Sequence, residues 1–220
     1  MYSIRIWDLP TRVFHWALVA CVVGLVITGN VGGNAMPWHF RFGYAVLTLL
    51  LFRLAWGLLG GHWSRWSQLP LGPRAIVAYF QGKSTPDQLA GHNPLGSWSV
   101  LAFLLVLALQ VSTGLISDDE IANMGPLAVL APSHWVSWAS SWHKNWGKLA
   151  LILLVLTHVL ALAWYRWKKN QKLVSAMVHG DKSLTEVVVP SRDTGKTRGL
   201  ALVVFVLAAL AVFALISLGQ

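Results

Sequence analysis

The chain has 220 residues, 55% of them hydrophobic and only 11% charged, with a net charge of +9 and a mean hydropathy of +0.57. A soluble domain carries about a quarter charged residues, so this balance excludes an ordinary globular class and points to the membrane. Nucleic-acid binding is excluded as well, because the basic residues sit at the ends of apolar runs and form no stripe. One cysteine, Cys21, cannot build a disulfide, a zinc knuckle or a Cys-ligated iron–sulfur centre, and no C-x-x-C-H is present.

Crossing a bilayer takes about 20 apolar residues. In chain order, five runs meet that length: 12–29, 39–60, 97–116, 143–165 and 199–218. The first carries His15 and lacks a small-residue cleavage site, so it is read as a mature helix and not a signal peptide. Residues 61–96 are expected to contain a short amphipathic helix after Pro73. Residues 117–141 hold the acidic run Asp118-Asp119-Glu120, then Trp135 and Trp138, with Trp142 just beyond. Indole rings favour the headgroup region, which predicts a segment lying along the interface. The acidic run is either a docking point for a basic partner or a solvated loop. Residues 166–198 read as polar.

The fold expected is all-α and polytopic. A four-helix transmembrane bundle occupies residues 1–180, residues 181–198 form a cytoplasmic linker, and 199–220 add a fifth, C-terminal transmembrane helix. With the N-terminus inside, thirteen Lys and Arg fall on the cytoplasmic side, three outside and one, Arg53, within a span. That bias predicts a cytoplasmic N-terminus and an outward C-terminus.

Four of the eight histidines lie in or at the mouths of these runs: His15, His39, His143 and His158. Ionisable groups in membrane helices are costly and mark function. His143 and His158 are fifteen residues apart on one helix, about 22 Å in height at ~1.5 Å per residue. His39 and His143 both open helices that run the same way, so they are expected at one depth. His15 and His158 are expected together in the other leaflet, with a depth mismatch of ~7 Å to be absorbed by tilt. Two imidazoles on facing helices suit the axial positions of a haem iron. The loop histidines His62, His92, His134 and His179 read as surface residues.

Trp38-His39 precedes Gly43 as Trp142-His143 precedes Gly147. A glycine at i+4 leaves room either for a porphyrin edge or for close helix packing. Arg53 lies fourteen residues after His39, on nearly the same face and ~21 Å deeper. With no Asp or Glu inside any run, its anion is expected to be a haem propionate, unless the side chain snorkels to the surface. Thr11, Asn145 and backbone carbonyls are candidate acceptors for the ring N–H groups.

The stretch from Ile6 to Trp16 (Ile-Trp-Asp-Leu-Pro-Thr-Arg-Val-Phe-His-Trp), with His39, Gly43, Arg53, Trp142-His143 and His158, resembles the prokaryotic cytochrome b561 family, including the b-type cytochrome subunits of nickel–iron hydrogenases. The resemblance spans roughly residues 5–180. It implies two non-covalent b-haems with bis-His iron, ligated by His15 with His158 and by His39 with His143. It implies electron transfer in the inner membrane of a respiratory chain, between quinone or quinol and a redox partner such as a c-type cytochrome or a hydrogenase, with an outward side that is periplasmic. A quinone reductase that oxidises superoxide or another small substrate would use the same framework. A His-based transporter is disfavoured, since histidine pairs ~22 Å apart cannot share one ion and no carboxylate relay is available.

Overall fold

The computed structural model describes residues 1–219. The elements run as strand β1 (Tyr2–Arg5), helices α1 (Leu9–Val31), α2 (Met36–Leu59), α3 (Pro73–Phe80), α4 (Pro86–Ala90), α5 (Pro94–Leu115), α6 (Ser133–Ser141), α7 (Lys148–Lys168) and α8 (Leu173–His179), strand β2 (Asp181–Leu184) and helix α9 (Gly195–Ser217). Five helical stretches are long and apolar enough to cross a membrane: Leu9–Val31, Gly33–Leu59, Pro94–Leu115, Ser133–Lys168 and Gly195–Ser217. The protein is an all-α polytopic membrane protein, and the five expected runs fall on these helices.

Lipid-facing surfaces follow from helical spacing. On α1, Trp16, Val19, Val23 and Ile27 are exposed at steps of three and four residues, an apolar stripe that only a bilayer covers harmlessly. On α9, Ala201, Val204, Ala208 and Val212 are buried on one face, while Leu202, Val206, Leu210 and Phe213 are exposed on others. The fourth span is 36 residues long, about 54 Å at ~1.5 Å per residue against a hydrocarbon core of ~30 Å. Trp135 and Trp138 lie on α6, which is continuous with that span. A π-helical turn, Trp142–Gly147, joins α6 to α7.

The chain divides into two compact units. The first comprises residues 1–15, 53–102 and 155–204; the second comprises 16–52, 103–154 and 205–220. In the second unit Val46 and Leu50 of α2 pack with Leu107, Val111 and Leu115 of α5 and Leu151 of α7. Leu18, Val22 and Leu25 of α1 and Leu215 and Ile216 of α9 flank that core, so the end of the fifth helix is built into it. Phe52 meets Phe205 at 6.3 Å between ring centroids.

The first unit is organised by polar contacts. Asp8 is fully buried and caps α1, accepting from the Thr11 N–H at 2.8 Å. Its carboxylate also accepts from Trp56 Nε1 at 3.3 Å, Gly61 N at 3.0 Å and Ser64 Oγ at 2.8 Å. One side chain thereby ties the start of α1 to the end of α2 and the turn after it. Asn93 caps α5 through Gly96 N at 2.8 Å, and its amide donates to the Tyr165 hydroxyl at 2.7 Å, which also bonds Tyr79.

Residues 181–198, expected to be a linker, are packed structure. β2 pairs antiparallel with β1, Arg5 opposite Asp181. Gly180 ends α8 with φ of 91°, a left-handed conformation suited to glycine, and its carbonyl accepts from Ile6 N and Trp7 N at 2.9 and 3.0 Å. Val188 joins Ile4, Ile6, Trp7, Trp63, Ala90 and Ala176 in an apolar core. The Ser191 hydroxyl donates to the Ile6 carbonyl at 2.6 Å. The Asp193 carboxylate, 4% exposed, meets Arg5 at 2.9 Å, Arg198 at 2.8 Å and Arg12 at 3.8 Å. A linker reading fails because the charges that look solvent-seeking in the sequence find partners on β1, α1 and α9.

Burial works against ionisation of Asp193, but the hydrogen bond from Arg198, with further bonds and charges around it, holds the carboxyl below the ordinary range. A depressed carboxyl contributes stability above its unfolded pKa of about 3.9 and loses it as pH falls through the folded value. Asp193→Asn is expected to cost about 2 kcal/mol at pH 7, with the difference from wild type shrinking below pH ~4. Thermal unfolding in detergent across that range checks it. Asp8→Ala strands two backbone N–H groups, an indole and a hydroxyl in the interior and is expected to cost about 3–5 kcal/mol, read by the same melt.

Candidate functional site

The second unit brings together two of the four histidines expected in the spans. The rings of His39 and His143 are 6.0 Å apart between centroids, with planes at 86°. Two imidazoles gripping one metal from opposite sides, at about 2 Å per metal–nitrogen bond, leave their centroids about 6 Å apart. Among the described residues no group of three or more His, Cys, Asp or Glu is placed to hold a metal ion. A pair alone suits an iron whose other four positions are filled by a macrocycle.

Each ring is oriented by the backbone of a neighbouring helix. His143 Nδ1 bonds the Gln110 carbonyl on α5 at 2.8 Å. His39 Nδ1 bonds the Leu25 carbonyl on α1 at 3.2 Å, with the Thr28 hydroxyl at 3.3 Å. A carbonyl only accepts, so Nδ1 carries the proton and Nε2 keeps its lone pair for a metal. Backbone carbonyls thus act as the expected acceptors, whereas Thr11 bonds Ser64 Oγ at 2.7 Å. His143 sits inside the π-helical turn, a local widening often found at functional positions; nothing in the residue pattern announced it.

The two flanking glycines differ. Beside Gly43 nothing lies within 4 Å of where a Cβ would stand, which is the room a porphyrin edge needs. Beside Gly147 the Gln110 side chain and, at 2.7 Å, Trp142 Nε1 already occupy that place, which matches the close-packing alternative. Gln110 Oε1 and Trp142 Nε1 are both buried without a hydrogen-bond partner.

In the first unit, His15 and His158 lie near enough to act on each other electrostatically. Arg53 is 4% exposed, so it does not snorkel. Its guanidinium stacks 4.1 Å above the Trp66 ring, and one terminal nitrogen is buried without a hydrogen-bond partner. The Asp8 carboxylate acts on it through space. Asp8 lies outside the apolar run 12–29, so the sequence offers it no part in charging the interior; the fold carries it inward. A buried guanidinium with a free N–H still fits a carboxylate ligand.

His92 is the residue that sequence reasoning missed. Its loop position reads as surface, like that of the other loop histidines, yet its Nδ1 is buried without a hydrogen-bond partner and its ring lies 4.7 Å from Trp7. Burial, then the positive charges of Arg53 and Lys182, push the imidazole down to about 3, so it is neutral at pH 7. Lys182 donates to the Leu89 and Ala90 carbonyls at 2.7 and 3.1 Å and is lowered by burial to about 8. The one available signal was position: His92 immediately precedes the Asn93-Pro94 start of a span.

The acidic loop is internally committed. Asp119 Oδ1 accepts from the backbone of Ile121, Ala122 and Asn123 at 2.9–3.0 Å, and these bonds, with the Asn123 side chain foremost, hold its carboxyl well below the ordinary range.

Residues 6–180 match the family described as prokaryotic cytochrome b561. Among curated proteins, the chain is 23% identical to the probable Ni/Fe-hydrogenase 1 B-type cytochrome subunit of Escherichia coli K12, over 81% of this chain and 90% of that protein. It is 26% identical to the probable Ni/Fe-hydrogenase B-type cytochrome subunit of Azotobacter vinelandii, over 81% and 88%. The corresponding subunit of Bradyrhizobium diazoefficiens is 23% identical over 84% and 87%. The chain therefore belongs to the prokaryotic cytochrome b561 family, haem-binding membrane proteins of electron transport.

Proposed function

We propose that this protein is a di-haem b-type cytochrome that carries electrons across the bacterial inner membrane between the quinone pool and a redox protein, with a hydrogenase as the partner its relatives suggest and a c-type cytochrome as the alternative. The observation that carries the proposal is the His39–His143 pair, 6.0 Å apart with both Nδ1 atoms turned to backbone carbonyls.

In this reading His39 and His143 would hold one haem, and His15 and His158 the other. Bound b-haem supplies one-electron redox chemistry at its iron. The chain's own residues fix the ligand tautomers, exclude water and set the local charge. Arg53 offers its free N–H to a propionate and Gly43 leaves space for a porphyrin edge. Neutral His92 keeps a further positive charge away from Arg53, Lys182 and the His15–His158 region, where it would raise the potential. The basic bias of the segments around 61–96 and 166–198 supports a cytoplasmic N-terminus and, with five spans, a periplasmic C-terminus.

Pyridine haemochrome assay of the purified protein is expected to give two non-covalent b-haems per chain. His143→Ala is expected to lose one of them and keep the other, with the remaining α band intact. A quinol is expected to reduce the wild-type haems, and a candidate acceptor to reoxidise them. A colourless preparation from haem-sufficient cells, or unchanged haem content in His143→Ala, would overturn the proposal.

A further inference from the structure

The two histidines that face each other are seated alike. Leu25-Val26-Ile27-Thr28-Gly29 on α1 and Gln110-Val111-Ser112-Thr113-Gly114 on α5 share a Thr-Gly ending. In each, the first residue's carbonyl accepts the imidazole Nδ1–H, at 3.2 Å for His39 and 2.8 Å for His143. Three residues on, a threonine hydroxyl also reaches that carbonyl, at 3.4 Å from Thr28 and 3.0 Å from Thr113. Four residues on, the glycine lies under the ring. A Cβ on Gly114 would stand 2.8 Å from His143 Cε1 and 3.1 Å from Nδ1. On Gly29 it would stand 3.0 Å from His39 Cε1 and 3.2 Å from Nδ1. At Gly114 that is closer than real Cβ atoms come, and at Gly29 it is tighter than most of them, so a side chain at either place presses the ring away from its seat.

We propose that Gly29 and Gly114 are positioning residues: each gives up its side chain so that an imidazole lies flat against a helix backbone, which locks Nδ1–H onto one carbonyl and holds the two ring planes perpendicular. The inference rests on the ligation proposed above. It adds that the angle between the ligand planes is set by α1 and α5, the two helices that supply no ligand to this pair. The seats differ in one respect. His39 Nδ1–H has a second acceptor in the Thr28 hydroxyl at 3.3 Å, while His143 relies on a single, shorter bond. The acceptors on Nδ1 set how much imidazolate character each ring lends the iron, and hence its potential.

Ring-plane angle has its own signature. In a low-spin ferric haem, perpendicular axial imidazoles leave two iron d orbitals nearly degenerate, and the EPR spectrum is highly anisotropic with one very large g value. Parallel planes give an ordinary rhombic spectrum. The test is low-temperature EPR with potentiometric titration on the full-length, haem-loaded protein, the relevant haem being the one lost in His143→Ala. Wild type is expected to show the large-g signal for that haem. Gly114→Ala is expected to move it toward the rhombic type, or to lose that haem alone while the other stays. Gly199→Ala, where nothing lies within 4 Å of the added carbon, is expected to leave both haems as they are. Thr28→Val, which removes an acceptor with little change of volume, is expected to raise the midpoint of that haem without changing haem content. A rhombic signal for that haem in wild type would overturn the inference. So would a Gly114→Ala and a Thr28→Val that both keep the wild-type spectrum and midpoint. Either result would leave two bound haems, and so would be distinct from failure of the ligation itself, which shows as absent haem.

Discussion

An imidazole N–H inside a helical membrane protein must find an acceptor where every polar group is already engaged. Helix carbonyls solve this with their second lone pair. His39 and His143 both use it, each against a different helix. That one hydrogen bond decides much else. It fixes the tautomer, so that the other nitrogen is the one available for a metal. It fixes the ring's height and azimuth, so that two rings meet 6.0 Å apart. It also brings each ring over a glycine one turn further along the helix behind it, where a Cβ would crowd the imidazole.

The first unit meets a different constraint: buried charge. Asp8, Arg53, Lys182 and Asp193 are all withdrawn from solvent to a large degree, and each is answered by the chain. Asp8 has four donors, Arg53 an aromatic face, Lys182 two carbonyls, and Asp193 three arginines. Removing one partner from such a set costs more than the set contributes, since the remaining charge is stranded.

Much of this was legible in the residues and some was not. Hydropathy runs and the Lys and Arg at their ends marked all five spans, because bilayer thickness imposes a length that a sequence shows directly. The repeated Trp-His pair marks His39 and His143 as equivalents, and the fold sets their rings side by side, 6.0 Å apart with perpendicular planes. The Thr-Gly repeat that seats them was equally present in the letters. It went unread because its role depends on which helix lies behind which ring, a tertiary fact. The π-helical turn around His143 was invisible, since its residues resemble any helical stretch. His92 looks like a loop residue and Asp8 lies outside every apolar run, yet packing around Trp7, Trp56 and Trp63 draws them inward. Residues 181–198 looked like a tether because they are polar, and polarity alone does not tell solvated charges from paired ones.

One iron held between two particular nitrogens is the central claim to test. An experimental density map of the haem-loaded protein locates it directly. The prediction is an iron peak about 2 Å from both His39 Nε2 and His143 Nε2, with each Nδ1 still on the Leu25 and Gln110 carbonyls. An iron bound to only one of these rings, or rings splayed too far to share it, would contradict the account.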